Sequence, residues 1–203
     1  MDIAQSVKIA EEKLQKLDPK LGEIIELQKP VSYTSREGYF FSLCRSIVGQ
    51  QLSVPSAAAI FARLEEITNL KPDKVAEISE AQIKQIGLSK QKASYLIDLA
   101  RHFRDNPEIY DHLERSSDQE VIDELTAVKG IGVWTAQMFM MFTLLRLDVF
   151  APDDIGLQRA IKELYGFKET PSKQKLEDIA ERWKPYRTVA CWHLWASLKN
   201  DSR

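Results

Sequence analysis

The chain has 203 residues, of which 44% are hydrophobic and 29% charged, and this suffices for one packed domain or two small lobes. The net charge of −2 disfavours a strongly basic nucleic-acid binder without excluding one, because helix N-termini and local basic clusters also bind phosphate. Cys44 and Cys191 are isolated, which disfavours zinc or iron–sulfur ligation and predicts two reduced, buried thiols. We expect an intracellular, soluble protein, since no secretory signal or membrane-spanning apolar run is present.

The first elements read as helices with clear ends. Apolar residues recur at helical spacing from Val7 to Leu17, and Asp18-Pro19 predicts the end of that helix. Lys29-Pro30 predicts the next break. Residues 39–67 predict one or two helices, with Pro55 in a first turn, where a missing N–H does no harm.

Capping signals mark the middle of the chain. Ser79 with Gln82 and Ser117 with Glu120 have the spacing of capping boxes. Gly87 predicts a helix stop.

The stretch from Leu125 to Ala136 predicts two helices joined by a tight hairpin. We expect positive φ at both Gly130 and Gly132, and amides near Gly130, Gly132 and Trp134 that can bind an anion. The Thr135 hydroxyl could add a further hydrogen bond. The alternative is a plain glycine-rich turn between packed helices.

The last third predicts a buried apolar helix over 138–145, then further helices at 153–164, after Ser172, and over 186–198. Asp153 and Asp154 stand at a helix start, where we expect one to cap the helix. The other could stabilise a sugar cation or take a proton from water. No segment alternates as strands do, so we predict an all-α bundle of about nine to eleven helices.

At this point the chain resembles a known family. Gly130–Ala136 and Asp148–Asp154 are similar to motifs of the helix-hairpin-helix DNA glycosylase superfamily, in its 3-methyladenine DNA glycosylase II branch. The segments 47–53, 86–93 and 183–195 match the same branch, so the resemblance runs from about residue 36 to 198. It implies a single glycosylase domain over 1–203 with two helical lobes, a cleft between them and no additional N-terminal domain.

The resemblance also implies catalytic roles. It makes Asp154 the catalytic aspartate, and Arg159 fits an arginine that often follows one turn later. Trp134 stands where members that also cut the strand have a nucleophilic lysine. The implied enzyme is therefore monofunctional and leaves an abasic site.

The base pocket implied by the resemblance contains Trp134 and Trp195, with Met138 where some relatives have tyrosine. A cationic alkylated purine stacks well on such aromatic faces. The alternative for each tryptophan is ordinary core packing, and that alternative is strongest for Trp195.

DNA contacts are implied for the hairpin residues Lys129, Gly130, Gly132 and Thr135. The wedge that fills the gap left by an extruded base is Gln51, with Leu52 as the competing choice. Basic residues such as Lys92 and Arg187 could face phosphate, although a solvated helix face explains them equally well.

The partner implied is double-stranded DNA with alkylated bases, bound by a monomer without any membrane association. No cofactor is implied beyond a monovalent cation at the hairpin carbonyls. The expected location is the cytoplasm (nucleoid) of a bacterium or the nucleus of a eukaryote.

Two rival functions remain. One is a non-catalytic helix-hairpin-helix module that binds damaged DNA, and the other is a glycosylase for oxidised or mismatched bases, which Trp134 disfavours.

Overall fold

The computed structural model describes residues 2–28, 38–108 and 112–200. Residues 199 and 200 are described by their backbone only. These ranges contain twelve helices with defined bounds and no strand, which confirms the all-α prediction. The helices are α1 Ile3–Leu17, α2 Pro19–Leu27, α3 Tyr39–Gly49, α4 Val54–Thr68, α5 Pro72–Ala76, α6 Glu80–Ile86, α7 Lys90–Asp105, α8 Asp118–Thr126, α9 Val133–Phe142, α10 Ile155–Tyr165, α11 Lys173–Glu181 and α12 Arg187–Asn200. The sequence does not predict α5, because its five residues are too few to show a helical period. The predicted break at Lys29-Pro30 lies outside the described residues.

The chain divides into two compact units. Unit 1 combines residues 1–35 with 145–203, and unit 2 consists of residues 36–144. Within the described residues, no helix is both long and apolar enough to cross a membrane.

The local signals in unit 2 form the predicted ends. Ser79 and Ser117 make reciprocal capping boxes with Gln82 and Glu120. Gly87 ends α6 in the left-handed conformation, with φ +85°. In the core of unit 2, α7 packs against α3 and α5, and the ring of Phe103 lies edge-on to that of Phe40 at 5.4 Å between ring centroids.

Unit 1 is built around α12, which packs against α1, α2 and α10. Asp18 lies between α1 and α2 and is only 2% exposed. Burial alone would raise the pKa of Asp18, but hydrogen bonds from the Tyr165 hydroxyl and the Trp183 indole lower it below its ordinary value. This buried carboxylate therefore joins the start of the chain to its last third.

Each unit holds one buried cysteine, Cys44 in unit 2 and Cys191 in unit 1, and both thiols are free. Burial raises the pKa of each thiol well above its usual range. Both cysteines therefore serve as small apolar core residues, as the sequence predicts.

Candidate functional site

The hairpin between α8 and α9 is a short turn anchored in the core of unit 2. The Val128 amide donates to the Leu125 carbonyl and the Ile131 amide to the Val128 carbonyl, each at 3.2 Å. Val128 and Ile131 are 1% and 5% exposed, so both side chains point into the core. These contacts anchor the turn to the core of unit 2.

Both the backbone conformation and the surroundings of position 130 require glycine there. The φ of Gly130 is +81°, in the left-handed region that favours glycine. A Cβ added there would stand 2.2 Å from Cδ2 of Tyr95, because the tyrosine ring lies flat against the turn. No signal in the sequence pointed to Tyr95.

The expectation of positive φ at Gly132 is wrong. Gly132 is the N-cap of α9 with φ −103° and ψ 174°, a conformation that any residue adopts. A Cβ at this position would meet no atom within 4 Å. Only one left-handed residue is needed to turn the chain, and Gly130 supplies it.

The amides at the start of α9 suit an anion. The backbone amides of Gly130, Gly132 and Val133 have no hydrogen-bond partner among the described residues. The partial positive charge of a helix N-terminus is concentrated at such groups. The Lys129 amide differs, because it donates to Oδ2 of Asp98 at 2.9 Å. The Lys129 ammonium is exposed and lies 3.5 Å from the same carboxylate.

A cavity of about 790 Å³ lies within unit 2, beside the hairpin. Its walls include four aromatic rings, those of Phe41, Trp134, Phe139 and Phe142, together with the thioether of Met138 and the charged side chain of Arg45. Trp134 is 45% exposed, which is unusual for a tryptophan and leaves one part of the ring open. Thr135, expected to contact DNA, is only 7% exposed and lines the cavity instead.

The loop after α3 contributes to the same cavity. Gln51, the predicted wedge, lines the cavity and is exposed. Its φ is +54°, a left-handed conformation that costs a non-glycine residue about 1 kcal/mol or more. Leu52, the competing choice, is 39% exposed and is not part of the lining.

Two hydrogen-bonding groups hold this loop in place. Nε2 of Gln50 donates to the Gly130 carbonyl at 2.8 Å, which ties the loop to the hairpin. The Lys92 ammonium donates to the carbonyls of Val48 at 2.8 Å and Gln50 at 2.6 Å. Desolvation lowers the pKa of Lys92. The Lys92 ammonium therefore binds the backbone at the end of α3, and its suggested contact with phosphate stays a prediction.

In unit 1, the segment before Asp154 is clamped to the start of α12. The Arg187 guanidinium donates to both carboxylate oxygens of Asp148, at 2.8 and 3.0 Å. The Thr188 hydroxyl accepts from the Val149 amide at 2.9 Å. Arg187 is thus a structural clamp in this unit, which differs from the suggested contact with phosphate.

Asp154 is itself the N-cap of α10. Its Oδ1 accepts from the Leu157 amide at 2.8 Å, while Asp153 is exposed and pairs with Lys173 at 2.9 Å. One aspartate caps the helix, as expected, but it is Asp154, to which the resemblance gives the catalytic role, and not Asp153. A hydrogen bond from the Asp154 amide to the Ala151 carbonyl sets this register, since it closes the turn one residue before α10.

Trp195 fixes the same oxygen. Its indole N–H donates to Oδ1 of Asp154 at 2.8 Å, and both side chains are half-buried. Gly156 makes room for this contact, because a Cβ there would lie 3.0 Å from Oδ1 and 3.1 Å from Cδ1 of Trp195. Arg159, which fits the arginine of the family that follows one turn later, pairs with Glu163 at 2.8 Å on an exposed face.

The predicted residues thus form two groups. Gln51, Trp134, Thr135 and Met138 line one cavity in unit 2, and Asp154 and Trp195 are bonded in unit 1. Within the described ranges, no group of three or more His, Cys, Asp or Glu side chains is placed to hold a metal.

These features define an all-α protein with a helix-hairpin-helix that presents backbone amides at a helix start and a fixed carboxylate at a second helix start. A model described as "HhH-GPD superfamily base excision DNA repair protein" matches residues 44–185. The chain belongs to this superfamily, as predicted.

Relatives place it in the predicted 3-methyladenine branch. DNA-3-methyladenine glycosylase 1 of Schizosaccharomyces pombe is 29% identical, over 98% of this chain and 90% of the relative. A crystal structure of a DNA-3-methyladenine glycosidase from Bacillus halodurans is 40% identical with a TM-score of 0.84, over 92% of this chain and 88% of that one. The S. pombe 3-methyladenine DNA glycosylase in complex with abasic DNA is 29% identical with a TM-score of 0.79, over 94% and 96%.

The two hairpin glycines should respond differently to alanine. Gly130→Ala adds a Cβ into the Tyr95 ring at positive φ, so we expect it to lower the free energy of unfolding by about 2 kcal/mol or more. Gly132→Ala is the matched control, and we expect it to cost no more than about 1 kcal/mol, since alanine meets no atom there but caps a helix less well than glycine. Urea unfolding followed by circular dichroism measures both. Equal destabilisation by the two substitutions would contradict the different roles assigned to these glycines.

Proposed function

We propose that this chain hydrolyses the N-glycosidic bond of alkylated purines of the 3-methyladenine type in duplex DNA and leaves an abasic site. The names of its relatives support the substrate class. The observation that carries the proposal is the Asp154 carboxylate, which is fixed by the Leu157 amide and the Trp195 indole. It is the residue of this chain that matches the catalytic aspartate of the family.

The proposed chemistry suits a single carboxylate. An alkylated purine carries a positive charge, so it departs as a neutral base when it takes the electron pair of the C1′–N bond. The sugar is left as an oxocarbenium-like cation, and water adds to C1′ and loses a proton. Asp154 stabilises the sugar cation or orients that water, and the departing base needs little acid assistance.

The geometry at Asp154 favours this role. A helix N-terminus favours negative charge, and the two N–H donors to Oδ1 hold the carboxylate in one orientation before substrate binds. A preoriented charge needs no reorganisation as the sugar cation forms.

We assign recognition of the extruded base to the aromatic cavity of unit 2. A cationic base against the exposed face of Trp134 gains about 0.5–2 kcal/mol, and a neutral purine lacks the electrostatic part of that gain. Met138 supplies a polarizable wall that tolerates bases of different shape.

The proposed enzyme has no lyase activity. Strand cleavage through a Schiff base requires an amine nucleophile. Trp134 occupies the position of that lysine, and the described lining of the cavity contains no lysine. The proposal needs water and no cofactor. A monovalent cation at the hairpin carbonyls and a monomeric state remain predictions.

The strand would be held by the amides of Gly130, Gly132 and Val133, with Gln51 filling the gap in the stack. Gln51 is exposed and lines the cavity, whereas Leu52 does not line it, and this favours Gln51 over Leu52 as the wedge. The Lys129 ammonium is exposed and lies 3.5 Å from the Asp98 carboxylate, so it can also contact a phosphate.

A panel of duplexes tests the function. We expect release of 3-methyladenine or 7-methylguanine, and little or no release of uracil or 8-oxoguanine. The abasic strand should stay intact until it is treated with hot alkali, and borohydride should trap no covalent adduct. Binding to abasic DNA without release of any base would favour the non-catalytic module instead. A trapped adduct would contradict the monofunctional assignment.

Asp154→Asn tests the catalytic residue. Asparagine caps a helix as well as aspartate does, so the fold should be retained. Loss of the negative charge should lower single-turnover excision roughly a hundredfold to a thousandfold, with binding to abasic duplex preserved. The adjacent Asp153→Asn is the control and should keep the wild-type rate. Excision by Asp154→Asn at the wild-type rate would show that the assignment is wrong.

A further inference from the structure

The loop that carries Gln51 is held in a conformation that its own sequence does not favour. Gln51 has φ +54°, and it lies two residues beyond Gly49, the last residue of α3. A left-handed non-glycine residue persists only where surrounding contacts determine the backbone. The contacts that do so here identify the residues on which the position of Gln51 depends.

Lys92 makes two of these contacts. Its ammonium reaches from α7 to the carbonyls of Val48 and Gln50, which lie on either side of the last residue of α3. A positive charge at this point satisfies carbonyls that the helix leaves without partners and complements the negative end of its dipole. Lys92 is partly buried, so these hydrogen bonds are shielded from water.

Gln50 makes the third contact. Its side-chain amide donates to the carbonyl of Gly130, the residue at which the hairpin turns. The loop before Gln51 is therefore tied to α7 on one side and to the hairpin on the other. All of these residues belong to unit 2.

We propose that Lys92 is a positioning residue for base extrusion, because its ammonium fixes the loop from which Gln51 enters the duplex. Gln50 sets the register between this loop and the strand held at the hairpin. The inference rests on the proposed function, in which Gln51 acts as the wedge.

The test separates Lys92 from Gln51 by a double-substitution cycle. Lys92→Met keeps the length of the side chain and removes the charge, Lys92→Arg restores a donor, and Lys84→Met removes an exposed positive charge from the same unit as a control. Each is made in the wild-type chain and in Gln51→Ala. Unstacking is followed by the fluorescence of 2-aminopurine placed beside an abasic analogue, and excision of 7-methylguanine by single-turnover kinetics at saturating enzyme.

We expect Lys92→Met to lower both unstacking and excision about tenfold, since it removes charged hydrogen bonds that position the loop. Lys92→Arg and Lys84→Met should stay within about twofold of wild type. In the Gln51→Ala background Lys92→Met should have no further effect, because residues that act through one group are not additive. An equal loss in both backgrounds, or no loss in the wild-type background, would overturn the proposal.

Two further results are informative. If wild-type protein excises no base but Lys92→Met still abolishes unstacking through Gln51, the proposed reaction fails and the positioning role stands. If Lys92→Met does not fold by circular dichroism, Gln50→Leu replaces it, because this change removes the tie to Gly130 alone. Gln50→Leu should then reduce unstacking only when Gln51 is present, and a wild-type response would overturn the role of the anchored loop.

Discussion

The proposed chemistry depends on one hydrogen-bonded oxygen, Oδ1 of Asp154. It accepts from the Leu157 amide and from the Trp195 indole, both at 2.8 Å. Capping and the proposed catalytic role are compatible in this arrangement, because the Leu157 amide that Asp154 caps also helps to orient its charge. The lack of a side chain at Gly156 is part of the same design, since a Cβ there would crowd both Asp154 and Trp195.

Unit 2 holds the backbone amides of the hairpin and Gln51, the proposed wedge, in a fixed arrangement. The hairpin turns at Gly130 against the Tyr95 ring, and the Gly130 carbonyl accepts from Gln50 in the neighbouring loop. Strain at Gln51 is thus offset by contacts to two other elements. A rigid scaffold of this kind allows binding energy to act on the DNA without first ordering the protein.

Local patterns in the sequence predicted the helices, both capping boxes and the hairpin, because those signals lie within a few residues of one another. The local patterns failed where the same residue type adopts two different conformations. Gly130 has a positive φ, whereas Gly132 does not. These patterns also missed Tyr95 and the contact of Lys92 with Gln50, which lies 42 residues away. Contacts of that range depend on how helices pack, which periodicity does not encode.

The role of Asp154 is tested most directly by affinity for a charged sugar analogue. Wild-type protein should bind duplex containing a protonated pyrrolidine abasic nucleotide at least about tenfold more tightly than duplex with neutral tetrahydrofuran, because only the first mimics the sugar cation. In Asp154→Asn this ratio should fall to about one. A mutant that kept the full wild-type preference for the cation would contradict the proposal that the Asp154 carboxylate stabilises it.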